Sequence, residues 1–361
     1  MRIMIDMGHP AHVHLFKNFI RELQKRGHHV LVTARDKEVT IDLLKVYNIE
    51  HIVVGKIGNS KIDLLREWII RDYKILRIAK KFNPDVLMGM SNPCAAHISW
   101  ILGKRSILLD DTEHASFTHK ITYPFADVIC TPSCYRKDLG GKQVRYNGSH
   151  DLAYLHPNYY TPNPDVLNEL GLKKDDTLII LRFISWNASH DAGQYGIMDK
   201  AKFVHELEKY GKVLITSEAK LSPEFEKYRI KISPQKLHDL LYYSSLYIGE
   251  GGTTASESAT LGTHAIHIST TAKHCGVFDE LHKYELMWTF DDENGSIELA
   301  KELLSKPNLW KLGKEKRNLL IKDHISVTDF MIWLLENYPE SVSVIKQTPN
   351  FQNEFSSGEF L

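Results

Sequence analysis

Leu246-Tyr247-Ile248-Gly249-Glu250-Gly251-Gly252-Thr253-Thr254-Ala255-Ser256-Glu257 is the stretch that decides the fold. Leu246–Gly249 reads as a short apolar strand, and a helix over Ala255–Leu261 begins near Thr253. The two adjacent glycines, Gly251 and Gly252, let a backbone approach a ligand closely. The free amides and the dipole of the helix start favour an anion such as a diphosphate. Thr253 and Thr254 add hydroxyl donors. Glu257, one turn into the helix, is placed to accept hydrogen bonds from a ribose diol. The same pattern also fits a plain strand-to-helix turn capped by its threonines. Neither Gly-x-Gly-x-x-Gly nor a P-loop lysine is present.

Strand and helix alternate on both sides of this turn. Upstream, strands are expected at Ile3–Asp6, His29–Thr33, His51–Val54, Asp85–Met90, Ser106–Leu109 and Val128–Thr131, with helices over His14–Arg26, Lys37–Tyr47 and Lys61–Phe82. After a proline-marked linker at 156–164 the alternation restarts. Strands are expected at Thr177–Leu181, Val213–Thr216, Leu246–Gly249 and Ala265–Ile268, with helices over Lys200–Tyr210 and Pro234–Tyr243 between them. This alternation predicts two α/β domains, each a parallel sheet with helices on both faces. The expected boundaries are 1–155 and 165–324. A helix over 325–336, rich in Phe330, Met331, Trp333 and Leu334, is expected to return to the first domain. The polar tail 337–361 is expected to be loosely ordered.

Composition narrows the function. The chain has 361 residues, 43% hydrophobic and 25% charged, which suits two soluble domains. Lys and Arg number 45, as do Asp and Glu. That balance argues against a nucleic-acid binder. No apolar run approaches a bilayer span. The start runs directly into a strand and lacks the apolar region of a signal peptide. Cys94, Cys130, Cys134 and Cys275 form no disulfide framework and no paired zinc spacing. A cytoplasmic protein, at most peripheral on the inner face of a membrane, is expected. It needs no resident metal or cofactor.

Further candidates lie where other strands end, because ligands of open α/β sheets bind beyond the carboxyl ends of the strands. His9, His12 and His14 follow strand one. His12 or His9 is a candidate general base, and a zinc site built from the three is a weaker alternative. Asp110-Asp111-Thr112-Glu113-His114 follows another strand. Three nearby carboxylates are expected to raise one another's pKa, which suits acid–base chemistry. Arg182, His190 and Ser217 follow strands of the second domain, and Arg182 is a candidate phosphate ligand.

These motifs carry a resemblance. Gly251-Gly252-Thr253-Thr254-Ala255-Ser256-Glu257 with Leu261-Gly262 looks like the nucleotide-binding turn of GT-B enzymes. It is similar to that of the peptidoglycan N-acetylglucosaminyltransferase and of UDP-N-acetylglucosamine 2-epimerases. From Asp6-Met7-Gly8-His9-Pro10-Ala11-His12-Val13-His14 through Thr33-Ala34-Arg35-Asp36 to Ala153-Tyr154-Leu155-His156-Pro157, the chain resembles a microbial GT-B-like family of unassigned function. The resemblance implies two Rossmann-like domains with a nucleotide-sugar site in the cleft between them. It also implies a ribose-binding role for Glu257, a place for His12-Val13 in the transferase's Gly-Gly-His-Val turn, and a match of Glu113-x-Ala115 to an epimerase His-Val-Glu-Ala segment. His190 matches an epimerase His-Arg only loosely. One departure bears on the reaction: the epimerases' catalytic aspartate corresponds to Asn92, which is no proton acceptor.

An inverting glycosyltransferase is therefore the expected activity, with a nucleotide-diphospho-sugar donor (a UDP-sugar favoured) in surface polysaccharide or glycolipid assembly. Its base would be His12, His9 or Glu113. Gly251, Gly252, Thr253, Thr254, Glu257, Arg182, His190 and Ser217 would hold the donor. Asp110, Asp111 and Asn92 would line the acceptor or sugar pocket. The acceptor would be a hydroxyl, carried by a lipid at the membrane surface in one version, and a homodimer is compatible. A 2-epimerase-like isomerase or hydrolase and a non-catalytic nucleotide-sugar binder are the alternatives.

Overall fold

The computed structural model describes residues 1–56, 61–183, 197, 199–217, 221–270, 275–293 and 295–356; within 61–66 only the backbone is described. The chain divides into two compact units, Met1–Tyr159 with His324–Leu361, and Tyr160–Asp323.

The first unit opens with β1 (Arg2–Met7), α1 (Pro10–Lys25), β2 (His29–Asp36), α2 (Thr40–Val46), β3 (His51–Lys56), α3 (Lys61–Phe82), β4 (Val86–Met90), α4 (Pro93–Leu102), β5 (Arg105–Leu109), α5 (Ser116–Thr122), β6 (Val128–Pro132), β7 (Gln143–Tyr146) and α6 (Leu152–Leu155). Its seven strands are all parallel, in the order β3-β2-β1-β4-β5-β6-β7. The order reverses between β1 and β4, the crevice where such sheets bind ligands. Period-2 alternation assigns each strand's side chains. Met4, Leu87, Leu108 and Ile129 face α3 and α4, where Ile75, Ala79, Cys94 and Ile98 cover them.

The second unit contains α7 (Asp165–Glu169), β8 (Leu178–Phe183), α8 (Lys200–Leu207), β9 (Lys212–Ser217), α9 (Leu237–Tyr243), β10 (Leu246–Gly249), α10 (Gly252–Thr260), β11 (His264–Ile268), α11 (Gly276–Lys283), β12 (Met287–Phe290), α12 (Ser296–Ser305) and α13 (Leu309–Asp323). Its five parallel strands run β12-β11-β10-β8-β9 and reverse between β8 and β10. The central strands β8, β10 and β11 are buried on both faces, which is why they read as continuous apolar runs. The expected helix over Pro234–Tyr243 is a 3₁₀ turn at Pro234–Lys236 followed by α9.

The chain then returns through α14 (Val327–Glu336), α15 (Glu340–Gln347) and a 3₁₀ turn at Pro349–Phe355. Ile325 N donates to Asn147 O and the Thr328 hydroxyl to Ala153 O, at 3.0 and 2.7 Å. The expectation of a loose tail is corrected as far as residue 356. Phe351 and Phe355 pack on Trp333 with ring centroids 4.9 and 5.6 Å away, and Gln352 accepts from Asn147 N. The aromatic residues lack periodicity because they dock from turns, not from one helix face.

Gly262 and Gly313 bring α10 and α13 into backbone contact. Gly262 has φ +76°, and a Cβ there would lie 2.7 Å from Gly313 O. A Cβ on Gly313 would fall on the Gly262 carbonyl oxygen. Glycine-to-alanine in a helix ordinarily stabilises by up to about 1 kcal/mol. Here Gly313→Ala is expected to reverse that sign and destabilise by about 1–3 kcal/mol through forced separation of the helices. Chemical denaturation of the two proteins checks it.

Candidate functional site

In the second unit the turn after β10 lies at the strand-order reversal. Gly249 must be glycine, because a Cβ would lie 2.6 Å from the Tyr247 hydroxyl and 2.8 Å from Arg182. Tyr247 in turn donates to Gly251 O at 3.1 Å. α10 has Gly251 as its N-cap, no side chain caps it, and its first turn contains no acid. Its amide end is therefore set up for an external anion by the amides and dipole of its first turn. Thr253 is exposed and Thr254 buried. The helix begins one residue earlier than expected, in a run of poor helix formers. Burial and local hydroxyl bonds hold it: Ser258 to Thr254 O at 2.7 Å and Ser256 to Thr253 O at 2.9 Å.

Glu257 is buried on α10 and takes a hydrogen bond from His238 of α9, 3.0 Å away. His238 was not singled out from sequence; only the packing of α9 on α10 brings it there. Arg182, the last residue but one of β8, pairs with Gly249, and its guanidinium reaches the Thr216 hydroxyl at 3.4 Å. Ser217 ends β9, and its backbone pairs with Phe183. Glu250 is buried and accepts from Ile197 N at 2.8 Å. His190 lies outside the described residues.

His267 packs under this turn. Its Nδ1 bonds to Gly249 O at 3.2 Å, and its Nε2 would lie 3.5 Å from a Cβ on Gly252. Burial lowers its pKa to about 4. His264, three residues earlier in β11 and so on its other face, is also lowered to about 4, first by burial and then by Lys316, Lys314 and Lys306. Both rings titrate near 6.5 when unfolded, so the unfolded chain binds more protons between those values. Stability is expected to hold above pH 6.5 and to fall as pH drops toward 4, by up to about 1.4 kcal/mol per pH unit for each ring. His267→Leu should flatten that acid limb in a series of thermal melts. An unchanged slope would remove His267 as its cause.

In the first unit the strand-order reversal holds a buried polar network. Asp6, inside β1, accepts from the Thr33 hydroxyl at 2.7 Å, from Asn92 Nδ2 at 2.7 Å, and pairs with Arg71 of α3. Asn92 also caps α4 by accepting from Ala95 N at 3.0 Å. Its amide is thus engaged on both sides. Burial alone would lower the Arg71 pKa, but Asp6 together with Cys94, Glu67 and Asp72 more than reverses this and raises it. Arg71 lies against Gly8, where a Cβ would stand 3.8 Å from its guanidinium.

His9 caps α1, its Nδ1 accepting from Ala11 N at 3.2 Å. His12 lies in the first turn, and its Nδ1 accepts from Gly8 N at 3.2 Å. A neutral ring accepting at Nδ1 carries its proton on Nε2, so His12 is arranged as a donor. That arrangement differs from the base role expected from its position. Loss of water around the ring, followed by the positive surroundings of His9, Lys37, Arg71 and His150, pushes its pKa well below the usual value. The His9 and His12 rings are 6.0 Å apart, whereas His14 stacks on Tyr154 at 5.4 Å, so the three do not gather.

The acidic turn after β5 separates its three carboxylates. Asp110 is fully buried; it accepts from Thr112 N at 2.8 Å and from the Tyr123 hydroxyl, and meets His119 at 3.0 Å. Glu113 is buried and accepts from Arg136 N at 3.2 Å. Asp111 alone keeps a quarter of its side chain exposed; its partners are the Thr112 hydroxyl and His150 Nδ1, both at 3.0 Å. The expected mutual raising of pKa is corrected for Asp111. Burial would raise it, but His150 lowers it below the ordinary value. His150 is itself raised: burial would lower it, but Asp111, Asp151 and Asp110 together outweigh that.

The model of a protein family of unknown function, DUF354, matches residues 1–332. The chain belongs to the DUF354 family. It is 29% identical over 273 residues to the uncharacterized protein MJ0665 of Methanocaldococcus jannaschii, a match covering 72% of this chain and 79% of that one. Among solved structures, this DUF354 chain superposes on the UDP-GlcNAc 2-epimerase of Neisseria meningitidis bound to UDP-GlcNAc with TM-score 0.63 at 13% identity, covering 93% and 100% of the two chains. The putative epimerase of Listeria monocytogenes gives 0.63 at 14%, covering 89% and 95%. SsfS6, a glycosyltransferase of Streptomyces sp. SF2575, gives 0.60 at 12%, covering 93% and 100%. At these identities the likeness shows the fold: two GT-B, Rossmann-like parallel-sheet domains.

Proposed function

We propose that this DUF354 protein is a cytoplasmic, inverting glycosyltransferase that uses a nucleotide-diphospho-sugar, a UDP-sugar in the favoured case, in cell-surface polysaccharide or glycolipid assembly. The observation carrying the proposal is the uncapped, acid-free start of α10 behind Gly251 and Gly252, at the strand-order reversal of the second sheet. Its amides and Thr253 receive the diphosphate, Arg182 adds positive charge, and Glu257, held by His238, receives the ribose hydroxyls. In the reaction an acceptor hydroxyl attacks the anomeric carbon, the bond from that carbon to the diphosphate breaks, and the hydroxyl proton passes to a base. Asp111 is the base, as the one carboxylate of its turn with an exposed edge. His12, protonated on Nε2, is a donor to developing negative charge.

Epimerisation is disfavoured by Asn92. An amide stands where a proton acceptor would be needed, and both its ends are engaged by Asp6 and Ala95. The test is a thermal-shift series with UDP, GDP, ADP and their sugars. A ligand bound only by the folded state raises Tm. UDP and UDP-sugars are expected to stabilise, and no response to any of them would overturn the reading. Asp111→Asn and His12→Gln should keep that shift and lower UDP release in the presence of acceptor about a hundredfold. A changed sugar with intact UDP would assign an epimerase instead. Binding without turnover would assign a carrier.

A further inference from the structure

The outer surface of α3, α4 and α5 has an unusual composition. The inner sides of α3 and α4 pack on Met4, Leu87, Leu108 and Ile129, and α5 packs beside α4. On their described side chains, every exposed position is apolar, cationic or a serine. The apolar ones are Ile69, Ile70, Tyr73, Trp100, Ile101 and Phe117, with Ile69, Trp100 and Phe117 exposed by 64, 65 and 70%. The cations are Lys74, Arg77, Lys80, Lys81 and Lys120, and the remaining position is Ser116. A shallow groove of about 350 Å³, walled by Trp68, Ile69, Asp72, His97, Lys120 and Phe125, runs between the helices; its carboxylate, Asp72, is half-buried and engaged by His97 Nδ1 at 3.2 Å.

Large exposed side chains scattered singly need no explanation, but a contiguous patch does. The charge pattern narrows what covers this one. Lys and Arg equal Asp and Glu over the whole chain, yet no exposed acid stands among these positions. On other helices exposed lysines pair with acids, as Lys25 with Glu22, Lys283 with Glu280 and Lys311 with Glu315. None of the five cations here makes an ion pair among the described residues. Arg77 instead lies over the Tyr73 ring at 6.0 Å. Along α3 the apolar residues come first and Lys74, Arg77, Lys80 and Lys81 follow on the same stripe, spaced three and four apart.

We infer that this α3–α5 face docks on a membrane surface rich in anionic lipid. Tryptophan and phenylalanine enter the headgroup boundary, and the unpaired cations meet lipid phosphates. A protein partner of the same chemistry would need a large acidic surface, whereas a bilayer offers both apolar depth and negative charge along its whole plane. The inference stands independently of the nucleotide reading, because no residue of the turn at 249–257 takes part.

Co-sedimentation of the full chain with vesicles tests it. Vesicles of phosphatidylcholine and phosphatidylglycerol in equal parts are expected to bind the protein, and vesicles of phosphatidylcholine alone to bind it at least tenfold more weakly. Lys74→Glu with Lys81→Glu should weaken binding to the mixed vesicles by roughly 25-fold or more, at about fivefold per cation removed. Trp100→Ser with Phe117→Ser should weaken it at least tenfold. Brominated lipid should quench part of the tryptophan emission in the parent and less of it in Trp100→Phe. Circular dichroism and thermal melting confirm that each variant is folded. No partition onto mixed vesicles would overturn the inference, as would partition that both double variants retain. So would self-association that Trp100→Ser with Phe117→Ser abolishes while vesicles bind nothing, since the face would then serve a second copy.

Discussion

Thr253→Glu is expected to unfold no earlier than the parent protein and to bind UDP about a thousandfold more weakly. The two effects have opposite signs for one physical reason. Thr253 is exposed in the first turn of α10, where no acid stands and no side chain caps the helix. A carboxylate there complements the helix dipole and contributes about 0.3–1 kcal/mol of stability. The same charge occupies the field in which the diphosphate is proposed to sit. Two like charges about 4 Å apart near a protein surface repel by roughly 4 kcal/mol, close to three powers of ten in Kd. Thr253→Gln, equal in bulk without the charge, should lose far less. Calorimetric titration with UDP and scanning calorimetry of the three proteins separate the effects. If Thr253→Glu binds UDP as the parent does, the anion lies elsewhere.

The second large effect is on the fold. Asp6→Ala should cost roughly 3–5 kcal/mol, the usual loss when one partner of a buried ion pair is deleted. Arg71 would stay buried without its ion-pair partner, with only Glu67 and Asp72 left nearby, and Thr33 and Asn92 would each lose an acceptor. Asn92 holds the start of α4 as well as Asp6, so the damage should extend across the β1–β4 reversal. Asp6→Asn keeps an acceptor oxygen for Thr33 and should lose less than the alanine variant. Denaturant unfolding measures both. A loss below about 1 kcal/mol for Asp6→Ala would mean that Arg71 finds other solvation, and the network would not organise this end of the sheet.

Much of the fold could be read directly from the residues. The strands of both sheets are apolar and short, the helices between them are amphipathic, and glycine or proline punctuates them. β7 and β12 escaped because they are four-residue edge strands. α4 escaped because Pro93-Cys-Ala-Ala-His-Ile-Ser-Trp-Ile-Leu102 is apolar almost all round and shows little helical periodicity. The candidate site was legible wherever a strand end, a glycine pair or a cluster of one residue type marked it. Arg71, His150 and His238 were not legible as site residues. Each is an isolated residue far in sequence from the group it serves, and no spacing signal connects Arg71 to Asp6, His150 to Asp111, or His238 to Glu257.

The sequence by itself determined the class of fold and marked the strand ends where ligand-binding residues are expected. Hydrophobic periodicity and turn chemistry are local properties, and a chain displays them before it folds. Only the tertiary structure decided which polar groups are spent on the protein itself. From the sequence Glu113 was a candidate base and Asp110, Asp111 and Asn92 were pocket residues, yet burial and hydrogen bonding commit Asp110, Glu113 and Asn92 to the fold and leave Asp111 a partly exposed edge. His12 lay at the expected strand end, but the bond from Gly8 N to its Nδ1 set which nitrogen bears the proton. Protonation, solvation and exposure depend on neighbours brought from distant parts of the chain, so they exist only once the sheets and helices have packed.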